Sequence, residues 1–92
     1  MLFKVYHANE PNFGMGKPPK FPQEFTHVAN VDTATIDEVY RLTNHIGYAW
    51  WESKWVDCIK QSRSTSVGDV VVDSNGKIFR CENVGWKEIT NG

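Results

Sequence analysis

The stretch "VGDVVVDSNGKIFRC", residues 67–81, decides the fold because it contains two β-rich runs joined by turn-forming residues. The dipeptide Asn75–Gly76 is a strong hairpin signal, since both residue types adopt the left-handed conformation that a two-residue turn requires. With this dipeptide at the centre of the turn, Val72 lies opposite Phe79, which gives one apolar and one mostly polar face. We therefore predict an antiparallel hairpin in this register.

Two further strands are predicted before the hairpin, at residues 2–7, "LFKVYH", and 24–32, "EFTHVANVD". In the second strand apolar or aromatic residues alternate with others, which predicts one buried face. That face would carry Phe25, His27, Ala29 and Val31. The segment between the two strands contains all four prolines, Pro11, Pro18, Pro19 and Pro22, and predicts a long loop.

A helix is predicted to begin at Thr35, because Thr35 and Glu38 form a capping-box pattern, and to end before Gly47. Residues 84–89, "VGWKEI", predict a final short strand, with Gly85 allowing a bend before it. The fold class predicted for the single domain, residues 1–92, is α+β. We expect an antiparallel sheet of four or five strands with one main helix packed on one face.

Composition and charge exclude several classes of protein. The chain has 92 residues and a formal net charge of −1, so no overall field attracts it to nucleic acid or to an anionic membrane. The apolar segment at the start is too short for a signal peptide, and no apolar run is long enough to span a membrane. We expect a cytoplasmic protein, in the host cytoplasm if a phage encodes it. In that compartment Cys58 and Cys81 would be free thiols.

Aromatic residues are concentrated in "GYAWWESKW", residues 47–55, which is the most unusual compositional feature. Large rings close the core of a small protein, and they also anchor protein interfaces. The proline-rich loop is a second candidate surface, because a stiff segment loses little entropy when it docks. The candidate partner-binding residues are Tyr48, Trp50, Trp51, Trp55, Phe13 and Lys17.

A single-stranded nucleic-acid-binding domain is the alternative hypothesis. It would combine phosphate contacts from basic side chains with stacking of bases on the tryptophans. The candidate residues for it are Lys60, Arg63, Lys77 and Arg80.

Catalysis has the weakest support in the sequence. The predicted hairpin register places Asp69 opposite Glu82, and paired carboxylates can act as acid and base, but neutralisation by neighbouring arginines is the commoner arrangement. A hydrolase using these carboxylates or a Ser/His pair is the third hypothesis, although no G-x-S-x-G motif surrounds the serines. The histidines and cysteines lack metal-ligand spacing, so we expect no metal site and no cofactor.

The motif "RSTSVGDVVV", followed after the turn by "IFRCENVGW", resembles the C-terminal signature of the YodL-like family and related small proteins of phages, plasmids and bacteria. The resemblance implies an accessory protein of phage or mobile-element type, and it implies no reaction. The residues that carry it are Arg63, Ser64, Ser66, Asp69, Gly85 and Trp86. From the residues themselves we expect the hydroxyls to bond local backbone and Arg63 to pair with Asp69 or with a backbone carbonyl.

These observations together favour a non-enzymatic module that binds a protein partner through the Trp-rich segment and the proline-rich loop. Neither the partner nor the oligomeric state follows from the sequence.

Overall fold

The computed structural model describes residues 1–44 and 49–90, and within them the chain forms six strands, one α-helix and one short 3-10 helix. The strands are antiparallel and form one sheet in the order β3-β2-β1-β4-β5-β6. The elements are β1 (Leu2–Ala8), β2 (Phe25–Asp32), α1 (Ile36–Thr43), the 3-10 helix (Trp50–Glu52), β3 (Val56–Cys58), β4 (Val70–Val72), β5 (Ile78–Cys81) and β6 (Trp86–Ile89). The α+β class is therefore present in a strand-dominated form, with β3 as a strand that the sequence did not predict.

The predicted hairpin is present as β4 and β5, but its register is shifted by one residue. Val71 lies opposite Phe79, whereas the sequence placed Val72 there. The shift arises because the turn is longer than the two residues assumed: the backbone N–H of Asp73 donates to the carbonyl of Lys77, which leaves three residues between them. Gly76 supplies the positive φ, 85°, with which a three-residue hairpin turn closes.

A β-bulge in β2 changes which residues of that strand point to each face of the sheet. Val5 on β1 lies opposite Ala29, but the next residue, Tyr6, lies opposite His27, so Val28 is the extra residue. His27 therefore faces the same side as Tyr6, and the two rings stack with their centroids 4.8 Å apart. The prediction that Phe25 and His27 share a buried face with Ala29 and Val31 is wrong for this reason.

The helix α1 begins where the capping pattern predicted. The Thr35 hydroxyl accepts a hydrogen bond from the backbone N–H of Glu38 at 3.3 Å, and the Glu38 carboxylate accepts from the side chain of Arg41. The helix ends at Thr43, whose hydroxyl donates to the carbonyl of Val39 at 2.8 Å. The predicted extension toward Gly47 lies outside the described residues.

The hydrophobic core draws on the helix, the 3-10 helix and the four strands β1 to β4. Full burial of a valine side chain contributes roughly 1.5–3 kcal/mol relative to exposure, and valine is the commonest residue in this cluster. Its buried members are Phe3, Val5, Val28, Ala29, Val31, Val39, Leu42, Trp50, Val56 and Val71.

The two cysteines lie on different strands, Cys58 on β3 and Cys81 on β5. Three strands separate them in the sheet, so at about 4.8 Å per strand their backbones are too far apart for a disulfide. Both are free thiols. In the described part of the chain, no helix is long and apolar enough to cross a membrane.

Candidate functional site

The segment before β4 is held by an ion pair between Arg63 and Asp69. The guanidinium donates from Nη1 to Oδ2 at 2.6 Å and from Nη2 to Oδ1 at 2.8 Å. Each carboxylate oxygen also accepts one backbone N–H, from Ser66 at 2.8 Å and from Ala8 at 3.0 Å. The Asp69 carboxylate is fully buried and accepts four charge-assisted or backbone hydrogen bonds. The pairing expected from the sequence is therefore present.

Arg63 connects three parts of the chain through its remaining contacts. Its Nη2 donates to the carbonyl of Ala8 at the end of β1, at 3.2 Å. Its Nη1 donates to the carbonyl of Ser64 at 3.1 Å and to the hydroxyl of Ser66 at 3.0 Å. One guanidinium thus fixes the end of β1, the 63–66 segment and the start of β4 relative to one another.

A tight turn explains the glycine of the motif. The backbone N–H of Asp69 donates to the carbonyl of Ser66 at 3.0 Å, which closes a turn through Val67 and Gly68. Gly68 has a φ of 97°, the left-handed backbone that such a turn requires at its third position. The motif Ser-Val-Gly-Asp therefore encodes the turn that brings the carboxylate to Arg63.

His7, which the sequence did not mark as a site residue, is a buried member of the same cluster. Its Nε2 lies 2.9 Å from the Thr65 hydroxyl and its Nδ1 lies 3.3 Å from the Ser62 hydroxyl. Burial lowers the pKa of His7 to about 4; the charge of Asp69 opposes this shift and that of Arg63 adds to it. The alternation of Phe3, Val5 and His7 along β1 was the available signal, since it places His7 on the core side.

The geometry around His7 resembles a nucleophile and base only in part. The Thr65 hydroxyl on Nε2 is fully buried, and Asp69 Oδ2 is 3.9 Å from the same nitrogen, beyond hydrogen-bond distance. The half-buried Ser62 lies at a surface depression that Lys60 also lines. Both ring nitrogens have hydroxyl partners, an arrangement that holds a neutral imidazole in place inside the protein.

The carboxylate pair that the sequence placed across the hairpin is not formed. Asp69 lies opposite Cys81, with a 2.8 Å hydrogen bond from the Cys81 N–H to the Asp69 carbonyl. Glu82 instead accepts from the side chain of Arg80 at 3.1 Å. The prediction that Asp69 faces Glu82 is therefore wrong, because it depended on the two-residue turn.

The tryptophans of residues 47–55 occupy three different environments. Trp50 is 2% exposed, and its indole N–H donates to the carbonyls of Ser62 and Arg63 at 3.0 and 3.2 Å. Trp51 is half-buried against the core, with its ring edge-to-face on Trp50. Trp55 is 54% exposed, with the Lys54 ammonium 4.9 Å from its ring centroid.

Trp50 thus supports the Arg63 segment from within the core, and it has no surface to offer a partner in this conformation. The fourth aromatic candidate, Tyr48, lies outside the described residues.

The four basic residues proposed for nucleic acid are dispersed. Lys60 follows β3 at one side of the sheet, whereas Arg80 is on β5 near the other. Lys77 directly follows the hairpin turn, and the charge of Arg63 is balanced by Asp69. They do not form one basic surface.

The loop of residues 9–24, here called the proline loop, is held in a defined shape. Its neck closes through a 2.9 Å hydrogen bond from the Asn9 N–H to the Glu24 carbonyl. Inside it, the Asn12 side chain donates to the Lys17 carbonyl and accepts from the Gly14 N–H, at 2.9 and 3.1 Å.

Phe21 anchors the proline loop to the sheet. Its ring is 8% exposed and packs edge-to-face on Tyr6 and Phe25, with centroid distances of 5.0 and 5.4 Å. At the far end of the loop, a Cβ on Gly14 would lie 2.9 Å from the Val67 side chain. The loop therefore also lies directly against the segment RSTSVGDVVV, residues 63–72, here called the Arg-Ser motif.

The proline loop nevertheless exposes large apolar side chains. Phe13 is 55% exposed and Met15 is 76% exposed. Phe13 also has a φ of 55°, in the left-handed region that bulky side chains rarely adopt. A loop that is held by hydrogen bonds and still directs two apolar side chains outward is a candidate binding surface.

Of the last two motif residues, Gly85 lies in the turn before β6 and Trp86 begins that strand. The N–H of Glu82 donates to the carbonyl of Gly85 at 3.0 Å, and Gly85 has a φ of 72°. Trp86 packs against the core, with its ring 6.3 Å from that of Tyr40. Among the residues that the structure describes, no group of three His, Cys, Asp or Glu side chains is placed to hold a metal ion.

Comparison of the chain with known proteins found no matching family model, and no curated protein or solved structure is significantly similar to it.

Proposed function

We propose that the chain is a non-enzymatic protein-interaction module in which the proline loop binds the partner. The observation that carries the proposal is the exposure of Phe13 and Met15 on a loop whose backbone is held by the Asn12 and Asn9 contacts. A preorganised loop loses little conformational entropy on binding, so its apolar contacts contribute more fully to affinity.

The backbone of Phe13 adds a second argument. A non-glycine residue with positive φ is strained by about 1–3 kcal/mol, and the surrounding structure must supply that energy. Such strain clusters at functional sites, where the conformation serves binding rather than stability. The strained position directs the ring into solvent, where a partner would cover it.

The arrangement of layers fits this proposal. We infer that α1 covers one face of the sheet, since Val39 and Leu42 share a buried cluster with Phe3 and Val5. Phe21 packs on Tyr6, the neighbour of Val5 on β1, whose side chain points to the opposite face. The proline loop would then lie on the face that the helix leaves open.

The wider classification as an accessory protein of phage or mobile-element type rests on the Arg-Ser motif and its resemblance to the YodL-like family. The structural roles of Arg63, Asp69 and Gly68 give that motif a physical meaning, as the segment that holds the start of β4. We propose that the motif maintains the fold and that the proline loop performs the function.

Single-stranded nucleic-acid binding has less support. Its four candidate residues are dispersed, and Trp50 is buried and unavailable for stacking. A hydrolase has the least support, because the carboxylate pair is not formed and the Thr65 hydroxyl beside His7 is inaccessible.

A photocrosslinking experiment tests the proposal. Benzoylphenylalanine is introduced in place of Phe13 and, in a matched control, in place of Val84, which is 93% exposed on a different loop. Irradiation in a lysate of the source cells should give a discrete crosslinked protein from position 13 that position 84 does not give. Identical crosslinking patterns from the two positions would contradict the proposal.

A further inference from the structure

A groove of roughly 530 Å³ separates the proline loop from strands β5 and β6. One wall is the loop segment Lys17–Phe21, and the other is formed by Arg80 on β5 together with residues 87–90 of β6 and its end. The sequence does not predict this groove, because its two walls are far apart in the chain.

The groove is positively charged although the whole chain carries −1. Lys17, Lys20, Arg80 and Lys87 line it, and Glu88 is the only acidic residue among the lining side chains. Arg80 is paired with Glu82 at 3.1 Å. Within residues 1–44 and 49–90, the three lysine ammonium groups of the groove take part in no ion pair.

The remaining lining indicates which kind of anion fits. Pro18, Pro19 and Ile89 supply apolar surface, while Phe21 is 8% exposed and its ring is already covered by Tyr6 and Phe25. Binding of a single strand of nucleic acid depends on exposed rings that stack on bases, and none of the groove's lining residues offers one. Proline and isoleucine surface beside lysines suits a polypeptide with acidic and aliphatic side chains.

The strand at the groove suits an extended polypeptide. In the described structure β6 stands at the end of the strand order and pairs only with β5. The outward backbone groups of such a strand can accept an added strand, and alternate side chains of that strand then reach one face. Lys87 lies on the groove side with Arg80, its partner in the β5–β6 register.

We propose that this basic groove binds an extended acidic segment of the partner protein. The proposal rests on the proposed function and specifies the chemistry of the partner: acidic side chains meet Lys17 and Lys87, while aliphatic ones contact the prolines and Ile89. Phe13 and Met15, on the same loop, would contact a neighbouring apolar part of that partner.

The test uses a fluorescein-labelled peptide of alternating glutamate and valine, with the same peptide carrying glutamine in place of glutamate as its control. Fluorescence polarisation should show binding of the glutamate peptide that weakens as salt rises. The double substitution Lys17→Gln and Lys87→Gln should weaken it by roughly tenfold, as expected for two exposed charge pairs. The matched substitution Lys60→Gln and Lys77→Gln removes the same charge outside the groove and should have little effect.

Equal loss of affinity in the two double variants would overturn the proposal, as would equal binding of the glutamine peptide. Tighter binding of an oligodeoxythymidine, lost in the groove variant, would overturn it in favour of nucleic acid. If the glutamate peptide does not bind while the crosslink from position 13 is still formed, the groove proposal fails and the interaction module stands. If position 13 gives no crosslink that position 84 lacks, the proposed function itself is contradicted.

Discussion

The guanidinium of Arg63 contacts both carboxylate oxygens of the buried Asp69, at 2.6 and 2.8 Å. This single contact joins the segment before β4 to the end of β1, because Asp69 and Arg63 also bond the backbone of Ala8. The fold thus gives the most distinctive motif of the sequence a structural role, which is why the proposed interaction is assigned to exposed groups on the proline loop.

Arg63→Ala should destabilise the protein by about 3–5 kcal/mol, because it leaves the Asp69 carboxylate buried without its counter-ion. The matched control is Arg41→Ala, which breaks an exposed ion pair with Glu38 and should cost less than about 1 kcal/mol. Urea unfolding followed by circular dichroism measures both. Equal stability of the two variants would show that Arg63 does not hold the fold, and loss of the partner by such a folded variant would make the motif a binding site.

The free energy of unfolding should fall on acidification through the pH range in which the protonation of His7 differs between the folded and unfolded states. The pKa of His7 is about 4 in the folded protein, against an ordinary value of 6.5, so between these values the unfolded chain binds the extra proton. The stability that depends on a neutral His7 is fully present above pH 6.5 and is lost as the pH falls toward 4. The loss amounts to roughly 3 kcal/mol of unfolding free energy. His7→Gln should have a flatter dependence of unfolding free energy on pH. If the unfolding free energies of the wild type and of His7→Gln depend on pH in the same way, His7 is not the group responsible.

The two thiols should differ in reactivity toward Ellman's reagent. Burial raises the pKa of Cys81 to about 11, and its side chain is 4% exposed. Burial and the neighbouring Asp57 also raise the pKa of Cys58, but that thiol is only half-buried on the outer strand β3. The native protein should therefore release one equivalent of chromophore before unfolding, and Cys58→Ser should release none. Two equivalents at similar rates would be inconsistent with the burial of Cys81.

The contact between the proline loop and the motif can be tested with two glycines of similar φ. Gly14→Ala should cost about 2 kcal/mol or more, because its φ is 84° and the new Cβ would lie 2.9 Å from Val67. Gly16→Ala, at φ 79° with open space around it, should cost only about 1 kcal/mol. Thermal unfolding measures the difference. A larger loss of stability in Gly16→Ala than in Gly14→Ala would show that the loop does not pack against Val67 at Gly14.

The sequence predicted the elements whose signals are local. The Asn75–Gly76 turn, the Thr35 cap and the β-rich run of β1 each depend on neighbouring residues. The hairpin register failed because Asp73 accepts two backbone N–H groups of the turn, from Asn75 and Lys77 at 2.9 Å each, and so favours a longer turn than the dipeptide alone suggests.

Other features depend on tertiary contacts that no local pattern contains. The bulge at Val28 changes the faces of β2, and β3 is only three residues long. The site could be predicted only in part. The Arg63–Asp69 pair was one of two arrangements expected for Arg63, but the burial of Trp50 and the approach of His7 to Thr65 depend on how distant segments pack.

The measurement that tests the central claim most directly is partner recovery by a protein carrying Phe13→Asn and Met15→Ser. Asparagine tolerates the positive φ at position 13 better than phenylalanine does, and both side chains are exposed, so the melting temperature should not fall. The claim predicts that a protein recovered from source-cell lysate by the wild type and by Val84→Ser is absent with the double variant. Recovery of the same proteins by the double variant would contradict it.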